Sequence, residues 1–442
     1  MKSKAILSAG IALVIGAATA DAGQTVNGPM AFDPIAGSAY DLTADWGDAP
    51  FVLPAGYSQH KVSDERDLDI YPGVDDLGDM NTVNETGLWA GRFLYRTHEV
   101  NNGGAVSVVD LEAGEAKVLV REGDYPDFVT GRDLDGLRWT PWGTLLFAEE
   151  DPQGRLYEIV LDPHDPTTAV AVIDRPQVGR IRHEGIEVGP DGSVYVIDEL
   201  NGGSIFRFVP DRYGDLSSGQ LYALKVIGVD PNYPVGDRTG PFEWVALDMA
   251  QVVVDAFDAA QAVEATEYGR PEDVELIGHT LYVAITSTDR VLAIDLNKQT
   301  VADFVRAGVN VPAEDTSAEG PVNAPPTGQF VTGFDNPDNL AQGPDGRLWI
   351  VEDNSPSDIW VADPDRNGDG LADGVHLFAS LHDGVWECDD EVNGTCEGWN
   401  NSGAEGTGIY FGKDPHTLFV NIQHAEAELR DGTWMITHRD VQ

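Results

Sequence analysis

The chain has 442 residues, 42% of them apolar and 23% charged, enough apolar side chain for a large core and too much for a disordered polymer. Asp and Glu number 75 against 27 Lys and Arg, a formal net charge of -48 that excludes phosphate backbones and anionic lipid as partners. Carboxylates in such numbers must be spread out or neutralised, and bound divalent cations are one remedy, as a high-salt habitat is another explanation.

At the N-terminus, Lys2 and Lys4 precede an apolar run from Ala5 to Ile15. Ala18-Thr19-Ala20 or Ala20-Asp21-Ala22 then offers a cleavage site, the pattern of a signal peptide over residues 1–22. The run is too short to span a bilayer and no later segment is long enough, so we expect an exported protein, periplasmic or secreted, with no membrane partner. Residues 45–442 are expected to form one domain.

A unit recurs along that domain: a Gly-containing turn, a short aromatic and β-branched run, then acidic residues. It runs Gly91–Glu99, Trp142–Glu150, Asp191–Glu199, Gly278–Ile285, Asp345–Asp353 and Gly412–Ile422. Each is followed by another strand-like run, such as Gly154–Pro163 or Ser204–Pro210. Hairpins repeated through a whole chain predict an all-β, six-bladed β-propeller with an inserted helix and loops; a pair of β-sandwiches is the alternative. The helix is expected over Val245–Glu267, where Val245, Met249, Val252, Val253 and Phe257 recur at helical spacing, either as a functional insertion or as packing over the rim. Cys388 and Cys396, the two cysteines, lie close together in a polar stretch, and export favours a disulfide between them.

The units end in carboxylates: Glu99, Glu149 with Glu150, Asp198 with Glu199, and Glu352 with Asp353. Radial repetition would bring these ends toward a central channel, where carboxylates a few ångströms apart must share protons or hold hard cations. Oxygen ligands favour calcium or magnesium. His183-Glu184, Arg270-Pro271-Glu272-Asp273 and Asn336-Pro337-Asp338-Asn339 precede three of the strands and join this constellation. Arg270 suits bidentate capture of an oxyanion, and equally a salt bridge to Glu272 or Asp273. Separately, Asp365, Asn367, Asp369 and Asp373 follow the start of a calcium loop, although His376 stands where a bidentate Glu belongs, so a solvated turn is the competing reading. There is no G-x-S-x-G elbow, P-loop or H-E-x-x-H, so any hydrolysis would use a metal-activated water.

Taken in order, Thr97-His98-Glu99, Thr140-Pro141-Trp142-Gly143-Thr144 with Glu149-Glu150, His183-Glu184, Arg270-Pro271-Glu272-Asp273, Pro337-Asp338-Asn339-Leu340, Asp345-Gly346-Arg347-Leu348-Trp349 and Leu418-Phe419-Val420-Asn421-Ile422-Gln423-His424 resemble the PhoX-type alkaline phosphatases. The likeness spans roughly residues 90–435. It implies a propeller phosphomonoesterase with calcium and iron at its channel. By motif it implies Glu149, Glu150, Glu184, Glu272, Asp338 and Asn339 as metal ligands and Arg270 as the phosphate-binding residue. To these we add Asp273, Glu352 and the Asp365–Asp373 loop as metal candidates and Glu272 as catalytic. The family's iron-ligating cysteine, just before Thr140, has no counterpart here. The stretch reads Asp133-Leu134-Asp135-Gly136-Leu137-Arg138-Trp139, in which Asp135 offers a harder ligand. Calcium is therefore the expected cofactor, and iron lacks its thiolate. The expected protein is a monomer acting on small phosphate esters. A non-catalytic calcium-stabilised binding module and a lactonase-like hydrolase are the alternatives.

Overall fold

A computed structural model of the protein describes residues 26–38, 49–64, 67–68, 70–71, 77–100, 103–129, 131–313, 333–354, 357–381, 404–423 and 431–438. The segment read as a signal peptide and both cysteines lie outside the described residues.

Short strands β1 (Phe51–Val52) and β2 (Tyr57–Asp64) lead into an antiparallel unit of β3 (Leu77–Val83), β4 (Phe93–Glu99), β5 (Ala105–Asp110) and β6 (Glu115–Arg121). A second unit comprises β7 (Leu134–Trp139), β8 (Leu145–Glu149), β9 (Leu156–Asp162) and β10 (Asp165–Asp174). In the third, β11 (His183–Val188) and β12 (Val194–Asp198) are followed, after the short β13 (Asn201–Gly203), by β14 (Ile205–Arg212) and β15 (Asp215–Val226). Strand β16 (Gly240–Ala246) extends that sheet, and β17 (Tyr268–Gly269) pairs with β13. The fourth unit is β18 (Pro271–Ile277), β19 (Thr280–Ile285), β20 (Arg290–Asp295) and β21 (Thr300–Arg306). The fifth is β22 (Pro337–Gln342), β23 (Leu348–Glu352), β24 (Asp358–Ala362) and β25 (Val375–Leu381). The last, β26 (Glu405–Phe411), β27 (Thr417–Gln423) and β28 (Gly432–His438), takes β2 from the other end of the chain as its outer strand.

The first strands of these units touch in a closed circuit, β3 to β7 to β11 to β18 to β22 to β26 and back to β3. This is a β-propeller. Each recurring sequence unit is the second strand of a four-strand unit, entered through its Gly turn.

Two-residue periodicity explains the packing, because successive strand residues face opposite neighbours. Leu145 and Phe147 pack toward the first unit, whereas Leu146 and Ala148 pack toward the third. Leu281, Val283 and Ile285 face the third unit while Tyr282 and Ala284 face the fifth. The apolar clusters therefore lie between units, so no unit buries its own faces alone. Val26, Met30 and Phe32 also pack against Trp349 and Phe378, so the packed body includes residues ahead of the expected boundary at 45.

The expected single helix over 245–267 is corrected. Val245 belongs to β16, and two short helices follow, α1 (Met249–Val252) and α2 (Ala256–Gln261). The break comes where Asp255 takes an extended conformation and caps α2 by accepting the Asp258 N–H. Val252, Ala256, Ala259 and Ala260 are buried against the second and third units, so this insertion covers the rim.

Candidate active site

Each first strand breaks its pairing register at the same level: between Gly78 and Asn81, Leu134 and Leu137, His183 and Ile186, Pro271 and Val274, Pro337 and Leu340, and Thr407 and Tyr410. A bulge re-aims a side chain out of the pleat. Asp79, Asp135, Glu184, Glu272 and Asp338 all fall inside these breaks, and Glu405 lies at the start of β26. Glycine makes the close approach possible. A Cβ on Gly136 would overlap the Glu184 carbonyl oxygen, and one on Gly185 would run into Asp273.

The result is two carboxylate triads, Asp79 with Glu99 and Asp135, and Glu184 with Glu272 and Asp338, each with one oxygen per residue within 4.8 Å of the others. Burial and mutual repulsion raise these groups. Asp79 is pushed up to about 7 by burial, with Asp338 and Glu150 adding to it. Asp135 stands well above the usual carboxylate range through burial and Asp79, Glu184 through burial and Glu272, and Asp338 through burial and Asp353. Glu99 and Glu405 are raised in the same way, Glu405 also hydrogen-bonding Asp353. Asp79 Oδ1 and Asp135 Oδ1 are buried and accept no hydrogen bond among the described residues. All-oxygen donors, buried, repelling and in part unpartnered, fit a hard divalent cation such as calcium or magnesium.

At the ends of the second strands, the paired acids divide their duties by the same alternation. The first member of each pair is held by the fold. Glu149 accepts the Arg155 N–H (3.0 Å) and the Tyr157 hydroxyl (2.6 Å), and Asp198 accepts the Arg182 N–H (3.0 Å). Glu352 accepts the Asp335 N–H (2.9 Å) and the Trp360 indole N–H (2.8 Å). The second member faces the channel. Glu150 pairs with Arg182 and is pushed up to about 9 by burial and Glu99, Glu199 pairs with Arg182 and Arg270, and Asp353 sits by Glu405 and Asp338.

Arg270 has a left-handed backbone (φ 48°) and sets its guanidinium over the second triad, Nη2 lying 3.0 Å from Glu272 and 2.8 Å from Glu199. Burial opposes its charge, but Glu272 and Glu199 more than offset that and raise its pKa. Deeper in the channel, three residues on from the ring, Arg138 donates to Glu187 (2.5 Å) and Glu275 (3.2 Å).

Of the residues singled out by sequence, the structure thus brings together Glu150, Glu184, Arg270, Glu272, Asp338 and Asn339, whose amide contacts Asp338 at 3.1 Å and Glu184 at 3.5 Å. It places Glu149 and Glu352 on structural hydrogen bonds. Asp273 is likewise engaged by the fold, accepting the N–H groups of Val274 (2.6 Å) and Leu340 (2.8 Å). The Asp365–Asp373 loop joins β24 to β25 at the end away from Asp353. There Asp365 accepts the Gly368 and Gly370 N–H groups, Asp369 that of Leu371, and Asp373 the Asn367 amide. Sequence reasoning left Asp79, Glu405 and Arg182 out of the site, placed Glu99 only among the carboxylates expected to converge on the channel, and gave Asp135 only as a substitute ligand. The missed signal was spacing: Asp135-Gly136 matches Glu184-Gly185, and Arg182 precedes Glu184 as Arg270 precedes Glu272.

The model of the alkaline phosphatase PhoX family matches residues 138–426. The chain belongs to the PhoX alkaline phosphatase family. The Pseudomonas fluorescens PhoX structure in complex with vanadate, a transition state analogue, is 19% identical with a TM-score of 0.63, covering 93% of this chain and 98% of that one. A Xanthomonas campestris gluconolactonase is 14% identical over 96% of this chain and 98% of its own, with a TM-score of 0.45. No curated protein matches the sequence. As a PhoX family member the chain is a phosphoric monoester hydrolase, and its substrates are small phosphate esters.

Proposed function

We propose that this PhoX family member is an exported, calcium-dependent phosphomonoesterase whose reaction takes place over the carboxylate ring. The observation carrying this reading is the paired triads beneath Arg270. Asp79, Glu99 and Asp135 would hold cations on one side of the channel, and Glu184, Glu272 and Asp338, with Asn339, on the other. Bound there, divalent cations supply positive charge for phosphoryl oxygens and acidify water. The chain's own part is positioning and charge. Arg270, anchored through Nε and Nη2 on Glu199 and Glu272, offers its Nη1 to the non-bridging oxygens, where charge accumulates in the transition state. Water attacks phosphorus in line as the ester P–O bond breaks. The leaving oxygen takes up the proton that water gives up, releasing alcohol and inorganic phosphate.

Asp79, Glu99 and Asp135 offer oxygen alone, a donor set that suits calcium. Export rests on the charged and apolar N-terminal pattern of residues 1–22. The test is p-nitrophenyl phosphate hydrolysis from neutral to alkaline pH, with calcium and after chelation. Glu272→Gln should abolish turnover, and unchanged turnover would sink the assignment.

A further inference from the structure

Two arginines, not one, face the mouth of the channel, and a single buried carboxylate holds both. Glu199, 1% exposed, accepts Arg270 Nε on Oε1 at 2.9 Å, and its carboxylate forms ion pairs with Arg270 Nη2 at 2.8 Å and with Arg182 Nε at 2.7 Å. Each guanidinium thus turns its Nε toward the same carboxylate, Arg270 through a hydrogen bond and Arg182 through an ion pair. Nη2 of Arg270 reaches Glu272 and Nη2 of Arg182 reaches Glu150, while Nη1 of both makes no hydrogen bond among the described residues. The side chains are 33% and 36% exposed, and each lies two residues before a ring carboxylate, on adjacent units.

Arg138 shows what a purely structural arginine looks like in this fold. It is 19% exposed, and both its terminal nitrogens are spent on Glu187 and Glu275. Arg182 and Arg270 instead keep donors open to solvent and stand close enough that the charge of Arg270 acts against that of Arg182. Two cations crowded over one carboxylate, with open donors, suit an anion shared between them.

We propose that Arg182 is a second phosphate-binding residue, that Glu199 is the positioning residue that fixes it and Arg270 as one clamp, and that this clamp selects dianionic phosphate monoesters over monoanionic diesters. A monoester presents three non-bridging oxygens and two negative charges, enough for the unbonded Nη1 of both guanidinium groups. A diester presents two oxygens and one charge. The proposal rests on the phosphatase reading and adds to it the residues that set the preference for monoesters.

The experiment compares kcat/KM for p-nitrophenyl phosphate and bis(p-nitrophenyl) phosphate in the unaltered calcium-loaded protein and in Arg182→Ala, Arg182→Lys and Glu199→Gln, with thermal melts of each. Losing a charge-assisted contact made only to the dianion lowers the monoester-to-diester ratio about 10- to 100-fold in Arg182→Ala. Arg182→Lys, which keeps the charge without the fork, restores part of the ratio and serves as the variant read if Arg182→Ala melts early. Glu199→Gln lowers the ratio as well, because an amide cannot accept from both guanidinium edges. An unchanged ratio in Arg182→Lys and Glu199→Gln, with the unaltered protein active, overturns the clamp alone. Failure of the unaltered protein to hydrolyse either ester sinks the phosphatase reading and the clamp with it.

Discussion

Stripping divalent cations from the protein should make its stability fall as pH rises, the reverse of ordinary carboxylate behaviour. Asp79 illustrates the size of the effect. Burial, with Asp338, Glu150 and Asp353 nearby, moves this carboxyl from 3.8 to about 7. The metal-free folded chain therefore keeps a proton that the unfolded chain has already released above pH 4. The folded state binds more protons, so stability is fully present below about pH 4 and is lost as pH climbs to about 7. One such carboxyl withdraws about 4 kcal/mol. At about 2.1 cal/mol/K of unfolding entropy per residue, a chain of this length loses roughly 5 °C in Tm for that group. Glu150, pushed up to about 9, carries the decline further into the alkaline range. Calcium bound there as proposed would supply the missing positive charge and flatten the slope, returning about 4 kcal/mol at a thousandfold excess over its Kd. Differential scanning fluorimetry of chelated protein at pH 5, 7 and 9, with and without calcium, reads this directly. A metal-free Tm that is level or rising from pH 5 to 9 would refute the reasoning, as would a calcium effect absent at pH 9.

Other substitutions test separate parts of the structure. Gly136→Ala would drive a methyl into the Glu184 carbonyl oxygen, so it should cost about 3 kcal/mol or more, or prevent folding, as read by urea denaturation. Arg138→Met strands Glu187 and Glu275 beside each other, both already raised by burial, to about 8 and about 7. A loss of about 3–5 kcal/mol is expected, most of it recovered when both acids are also made Gln. Asp373→Asn, in the loop at the opposite end of its unit, should leave the calcium dependence of p-nitrophenyl phosphate hydrolysis unchanged.

The architecture was legible because a propeller strand announces itself locally. A Gly turn followed by residues such as Leu348-Trp349-Ile350-Val351 fixes both the strand and its two packing faces. The second strands carry that pattern, and the site depends chiefly on the first strands, whose sequences read as irregular because each contains a bulge. Asp79, within Leu77-Gly78-Asp79-Met80, follows a Pro72-Gly73 turn signal but no aromatic and β-branched run, so it gave nothing for periodicity to detect. Adjacent acid pairs were ambiguous for a different reason. In Glu149-Glu150 and Glu352-Asp353 one member points at its own fold and the other at the channel, and only the strand's phase tells which. The helix was overextended because Val245 continues a strand edge, while Asp255 ends one helical turn by capping the next.

The pairing of β2 with β28 places Tyr57 opposite His438, their rings 4.8 Å apart, at the same end of the last unit. The two strands run antiparallel, so a strand from early in the chain closes the last unit beside its final strand. Tension applied between Tyr57 and His438 would meet the β2–β28 hydrogen bonds one at a time, as a zipper, rather than all together.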